Sequence, residues 1–143
     1  MAYNVSKAEV WVADIPNRPG TLANVLQPLS GVGANLEFMI ARKVDDSTSR
    51  VFVAPVKGAK QKKAAVAAGL QPASNMFSLR IEGPDKPGLA AKLAQAIADK
   101  GINLRGASAA AVGKKAVFYI AIENEQSLKQ AMQATRAALG GRC

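Results

Sequence analysis

Asn17-Arg18-Pro19-Gly20-Thr21-Leu22 and Asp85-Lys86-Pro87-Gly88-Leu89-Ala90 are two versions of one corner in the same 143-residue chain. Each is followed by a second shared block, Gly33-Ala34-Asn35-Leu36 after the first and Gly101-Ile102-Asn103-Leu104 after the second. The offset is 68 throughout, whether taken as 87 − 19, 101 − 33 or 103 − 35. Pro16 and Pro84 keep it as well, and Leu22, Val25, Leu26 and Leu29 are answered by Ala90, Leu93, Ala94 and Ile97. A gapless echo at fixed period marks a duplicated unit. Two domains follow, residues 1–75 and residues 76–143. Each is small enough to have a thin core, so the halves are expected to pack on each other or the chain to oligomerise.

Within each copy the pattern reads strand, helix, strand, strand, helix. Val10 to Ile15 is apolar and ends at Pro16, a buried strand. Pro19 to Val32 carries apolar residues at i, i+3, i+4 and i+7, one face of a helix, with Pro19 suited to its first turn. Pro28 inside that helix is expected to kink it or weaken it. Leu36 to Arg42 and Arg50 to Val56 read as strands joined by the polar turn Asp45-Asp46-Ser47-Thr48-Ser49. Lys57 to Gly69 is helical, and Leu70 to Asn75 is a short strand that Pro72 assigns to an edge.

The second copy gives a strand from Phe77, a helix over Pro87 to Lys100, strands over Leu104 to Val112 and Ala116 to Ile122, and a helix from the cap Asn124 to about Leu139. It lacks a fourth strand of its own. Residues Ala2 to Ser6 are available to fill that edge, which would otherwise be open. The order β-α-β-β-α-β is the split βαβ, ferredoxin-like unit. The fold class is therefore α+β: two such units, each an antiparallel sheet with helices on one face.

Composition narrows the function. The chain has no His and one Cys, Cys143, at its end. That removes the commonest neutral-pH acid/base, the commonest metal ligand, and any internal disulfide. No Walker loop, no G-x-G-x-x-G and no nucleophile–base set is present. The adjacent Asp45 and Asp46 read as a hairpin loop without converging ligands. No enzyme activity, cofactor or metal is expected. No apolar run is long enough for a membrane span, and the start Met1 to Ser6 does not resemble a secretory signal. The expected compartment is the cytoplasm.

The formal charge is +9. Residues 1–75 carry nine Lys/Arg against five Asp/Glu, and residues 76–143 carry ten against five, so the excess is spread over both halves. The densest cluster is Lys57, Lys60, Lys62 and Lys63, which reads as a solvated helix face or a phosphate-contacting patch.

The corners are the candidate sites. The first N–H groups of a helix have no internal partner and carry partial positive charge. A glycine there lets a ligand approach the backbone, so each corner is suited to a carboxylate or phosphate. Arg18 or Lys86 adds a full charge, and Asn17 or Asp85 caps the helix or accepts from an ammonium group. Asn35 and Asn103 are either turn residues or amides that orient a small polar ligand. As plain structure, Pro-Gly is also simply a turn.

The pattern strand, Asp/Asn-x-Pro-Gly, helix, Gly-x-Asn-hydrophobic strand resembles the ACT domain family, in two tandem copies covering nearly the whole chain. The resemblance implies a ferredoxin-like fold with side-by-side pairing of units into an eight-stranded sheet. It implies a regulatory protein that binds an amino acid at the interface of ACT-like units and controls a metabolic enzyme allosterically, commonly as a homodimer. By analogy the ligand site takes in Asn17, Arg18, Pro19, Gly20, Thr21, Leu22, Asn35 and Leu36. Its counterpart takes in Asp85, Lys86, Pro87, Gly88, Leu89, Ala90, Asn103 and Leu104. Asn17 stands where the family pattern is acidic. Two alternatives remain at this point: a basic ferredoxin-like nucleic-acid-binding protein, and an adaptor docking a metabolic enzyme. Aromatics at 5% disfavour the base-stacking kind of nucleic-acid reader, and nucleic acid is not the expected partner.

Overall fold

The computed structural model describes residues 2–140. The chain folds as β1 (Asn4–Ala8), β2 (Trp11–Pro16), α1 (Thr21–Gly31), β3 (Phe38–Lys43), β4 (Thr48–Ala54) and α2 (Gly58–Ala67), then β5 (Gln71–Pro72) and β6 (Phe77–Pro84). It ends with α3 (Leu89–Ala98), β7 (Leu104–Val112), β8 (Lys115–Ile122) and α4 (Glu125–Ala138). Two compact units result. The first runs Glu9–Ala73; the second begins at Ser74 and takes in the amino-terminal strand. The division expected at residue 75 thus falls two residues earlier in the chain, and β1 lies outside the unit formed by the half that encodes it.

The sheet of the first unit has the order β3-β4-β2-β5 and that of the second β7-β8-β6-β1. Read from the same side, these are one arrangement. Every neighbouring pair is antiparallel. β5 is two residues long and lies at an edge, where Pro72 costs no ladder bond. The equivalent edge in the second unit is filled by β1, in register from Asn4 opposite Glu82 to Ala8 opposite Ser78. The strand is shifted by two residues from the expected stretch Ala2 to Ser6.

β1 is held by more than its ladder. Val5 is buried in the core of the second unit, and its carbonyl accepts from Arg136 Nη2 of α4 at 2.9 Å. Tyr3 packs against the same core and donates its hydroxyl to the Pro84 carbonyl at 2.7 Å. The Tyr3 ring lies over Gly83, so close that a β-carbon there would stand 2.3 Å from it. Gly83 is thus required by close approach. Lys7 adds an exposed ion pair to Glu125 at 3.5 Å.

The repeat shows in the cores. α1 buries Val25 and Leu29, and α3 buries Leu89, Leu93 and Ile97, one helical stripe at i, i+4, i+8 in the longer case. These pack on Trp11, Ala13, Ile15, Val51 and Val53 in the first unit. In the second they meet Leu79, Ile81, Phe118, Ile120 and Ile122. α4 contributes Leu128, Ala131 and Met132. α2 buries only Ala65. Its sequence of lysines and alanines has little apolar side chain to bury. Pro28 does not interrupt α1, which runs unbroken to Gly31. The proline lies in the last turn and is exposed, and so is Asn24, whose carbonyl it leaves without a helical donor.

Half-buried and exposed polar pairs lie on the sheet faces. Glu82 receives Lys115 Nζ and Arg80 Nη2, both at 2.6 Å, and these donors hold its carboxyl below its ordinary value, with the lysine contact the larger cause. Arg50 pairs with Asp14 through two nitrogens at 2.6 and 3.1 Å, which lowers the Asp14 carboxyl in the same way. Cys143, expected as a free terminal thiol, lies outside the described residues.

Removing residues 2–8 should lower the urea midpoint of the second unit. Burial of Val5 alone is worth about 1.5–3 kcal/mol, and Gly83→Val, which overlaps the Tyr3 ring, should cost about 1–3 kcal/mol. Equal midpoints for full-length and shortened chains would refute the role given to β1. Lowered carboxyl values in the fold mean stability that is complete above the unfolded value, 4.5 for Glu82, and lost as pH falls through the lower folded one. Denaturation curves taken from pH 6 to about pH 3 should therefore show a decline that Glu82→Gln makes shallower.

Candidate functional site

Both expected corners are present, with one correction to their anatomy. Pro19 and Pro87 were assigned to the first helical turn, but α1 begins at Thr21 and α3 at Leu89. The reason is the glycine. Gly20 (φ 90, ψ −15) and Gly88 (φ 79, ψ 3) are both left-handed. A hydrogen bond closes each corner, from Thr21 N–H to the Arg18 carbonyl at 3.4 Å and from Leu89 N–H to the Lys86 carbonyl at 3.2 Å. Proline second and left-handed glycine third define a type II turn. The Pro-Gly pair is read twice in the sequence because this turn is built twice.

The turn delivers the chain into a helix whose start is bare. Neither α1 nor α3 has a side-chain cap. α4 shows the contrast, for the Asn124 side chain there accepts from Ser127 N–H at 2.8 Å. The first helical bonds are Asn24 N–H to the Gly20 carbonyl and Lys92 N–H to the Gly88 carbonyl. The N–H groups of Leu22 and Ala23, and of Ala90 and Ala91, precede them in the first turn. A β-carbon built on Gly20 or Gly88 would meet nothing within 4 Å, so the side of each glycine where it would stand is uncovered.

The two corners differ in their first residue. Asn17 is fully engaged: its Nδ2 donates to the Asp46 carbonyl at 3.3 Å and its Oδ1 accepts from Ser49 Oγ at 3.2 Å. Its own N–H donates to the Ser47 carbonyl. Asn17 therefore ties the corner to the β3–β4 hairpin. That hairpin is itself ordered by Asp45, whose carboxylate accepts from the N–H groups of Ser47 and Thr48 at 2.9 Å and from Ser47 Oγ at 3.0 Å. These bonds hold the Asp45 carboxyl below its ordinary value. Among the described residues no group of three His, Cys, Asp or Glu side chains gathers in a way that could hold a metal.

At the second corner the backbone anchor is kept, with Asp85 N–H donating to the Lys114 carbonyl at 2.9 Å. The Asp85 side chain is exposed and has no hydrogen bond or ion pair among the described residues. Lys86, Pro87 and Gly88 are exposed beside it, as are Arg18, Pro19 and Gly20 at the first corner. Thr21 Oγ1 donates to the Pro16 and Arg18 carbonyls at 2.7 and 2.9 Å, so this hydroxyl closes its own turn. Leu89, its counterpart, is buried in the core. The engagement of Asn17 was not foreseen from sequence. The polar loop Asp45 to Ser49 was visible, but nothing in its spacing shows that it folds back on residue 17.

Asn35 and Asn103 are exposed, and Leu36 and Leu104 pack against their unit's core. Each asparagine follows the carboxyl end of the helix whose amino end forms the corner. α1 has 11 residues, so these two ends stand about 16 Å apart along the helix axis. One unit alone cannot place its corner and its asparagine on the same small molecule.

Residues 77–140 match the sequence model of the ACT domain. A comparison with curated proteins finds no match. Among solved structures the chain is similar to protein BT0572 from Bacteroides thetaiotaomicron, with 16% identity, a TM-score of 0.78, and 93% of this chain and 89% of that one covered. It is also similar to the regulatory subunit of aspartate kinase from Thermus thermophilus, in its ligand-free form. That match has 20% identity and a TM-score of 0.66, and covers 96% of this chain and 97% of the other. A third similar chain is a C-terminal regulatory domain of aspartate kinase from Porphyromonas gingivalis, with 13% identity, a TM-score of 0.59 and 96% of each chain covered. At these identities the likeness is one of fold.

The two corners should respond differently to truncation of their first residue. Asn17→Ala removes two side-chain hydrogen bonds and should cost about 1–2 kcal/mol in urea unfolding. Asp85→Ala should stay within about 0.5 kcal/mol of the parent. The reverse ranking would contradict the assignment of Asn17 to structure.

Proposed function

We propose, from the premise that residues 77–140 belong to the ACT domain family, that the chain is a regulatory protein whose ligand is a free amino acid. The observation that carries this reading is the bare start of α3, with Gly88 uncovered, beside the unengaged carboxylate of Asp85. The backbone N–H groups at Ala90 and Ala91 suit a carboxylate. The Asp85 carboxylate suits an ammonium group on the same molecule. Together they match the two charges every amino acid carries. The first corner offers only the anion half of this pair, because the amide of Asn17 is spent on the hairpin.

The distance between corner and asparagine within a unit gives the regulatory logic. A ligand held by both a corner and an amide such as Asn35 or Asn103 needs that amide from another unit brought alongside. Binding then favours assemblies in which the two surfaces meet, and differential affinity of that kind is what shifts an equilibrium. A second copy of the chain is the partner this reading calls for. β7 supports it: the strand has nine residues, lies at the edge of its sheet, and is exposed along most of its length. Its open N–H and C=O groups suit antiparallel pairing with the same strand of another copy. A metabolic enzyme under control of this assembly is the further partner.

Titration calorimetry of the full chain against each of the twenty amino acids is the test, with sedimentation velocity run in parallel. At least one amino acid should bind at about millimolar concentration or below. Asp85→Asn should weaken it about tenfold, since a charge-assisted hydrogen bond to ammonium is exchanged for a neutral one. No heat from any of them, or binding indifferent to Asp85, overturns the proposal.

A further inference from the structure

Of the four helices, α2 has the largest excess of positive charge; α4 sets Lys129 and Arg136 against Glu125. Lys57 precedes it as the N-cap, and Lys60, Lys62 and Lys63 lie within it, all four exposed. α1 carries no charged residue and α3 a single one, Lys92. No acidic residue occurs between Asp46 and Glu82 in the chain. The fold does not call for this arrangement. A helix amino end is already positive, so cations gathered there oppose the backbone dipole. α2 has no acidic residue in its first turn to offset them, and it buries only Ala65. A cluster that works against its own helix and stays exposed points to something outside the molecule.

The chemistry of the patch selects the partner. Protein interfaces favour aromatic residues and Arg and are poor in Lys. α2 has Lys alone, with no Arg and no aromatic residue. Helices that lie in a membrane surface need large apolar side chains opposite the basic ones. Here the other residues are Gly, Gln, Ala and one exposed Val66. A run of flexible point charges without hydrophobic anchors fits phosphates on a regular chain. Lys57, Lys60 and Lys63 recur at i, i+3 and i+6 along one side of the helix over about 9 Å of axis, one positive charge per about 3 Å, while Lys62 stands on another side. One strand of a duplex carries one phosphate per about 3.4 Å of axis.

We propose that α2 docks on the phosphate backbone of nucleic acid, with Lys57, Lys60 and Lys63 as the phosphate contacts. The contact reads no bases, because the helix offers nothing that stacks on them or pairs with their edges. This differs from the aromatic-platform recognition that the composition disfavours. It is also independent of the corners: loss of amino-acid binding leaves it standing.

The test is fluorescence anisotropy of the full chain with a labelled duplex DNA of about 24 base pairs, at salt from about 50 to 200 mM. Three phosphate contacts should give a log–log salt slope of about −2.7, and Lys60→Gln combined with Lys63→Gln should make it shallower by about 2. Lys92→Gln combined with Lys129→Gln removes the same charge from α3 and α4 and should leave the slope unchanged. Equal loss in both double variants would show general charge attraction and overturn the proposal. So would absence of binding at low salt, or binding to phosphatidylserine vesicles without binding to the duplex. All substituted positions are exposed, and matching thermal melts will show that the variants fold.

Discussion

The antiparallel pairing of β1 with β6 is the constraint on which the rest of the structure depends. Without it the sheet of the second unit would have three strands and an open edge at Leu79 and Ile81, both fully buried as the chain stands. With it, Val5 closes the core, Tyr3 covers Gly83, and Arg136 of the last helix finds a backbone carbonyl. The first unit meets the same need with β5, the two residues Gln71–Pro72, drawn from its own segment. The two units therefore share one sheet order but complete it from different parts of the chain.

The duplicated corner shows how a repeat can keep its geometry and separate its chemistry. Both copies keep proline and left-handed glycine because the type II turn allows little else. The preceding residue is freer. Asn17, with a donor and an acceptor, can bridge the Asp46 carbonyl and the Ser49 hydroxyl together, and it does. A carboxylate could not donate to that carbonyl. At the second corner Asp85 keeps only the backbone anchor to Lys114. The structural work lies with one copy, and the available charge with the other.

Much of this was legible in the sequence because it rests on periodicity and on residues with narrow backbone preferences. The offset of 68 gave two ferredoxin-like units, and the apolar stripes of α1 and α3 appear where the i, i+4 pattern put them. The missing fourth strand was visible as an absence, and Ala2 to Ser6 as a segment available to fill it, although the strand formed is displaced by two residues. Strand register depends on partners such as Gly83 and Pro84 that a local reading does not bring together. The helix starts were misjudged because Pro at a first helical position and Pro in a type II turn share the same φ. Only the glycine after it decides. The engagement of Asn17 was out of reach for a similar reason: it is a contact across about thirty residues between polar side chains, which leave no periodic trace.

The placement of β1 also has a consequence for synthesis. Strand β1 leaves the ribosome well before its mate, because β6 follows only after the whole of Glu9–Ala73 has been made. At about 5–20 residues per second, that is a wait of roughly 4–15 s. During this interval the earlier unit has all its own strands and can collapse, while the leading segment stays without its mate. Strand β1 is therefore made before the unit Glu9–Ala73 and docks only after every strand of that unit is available.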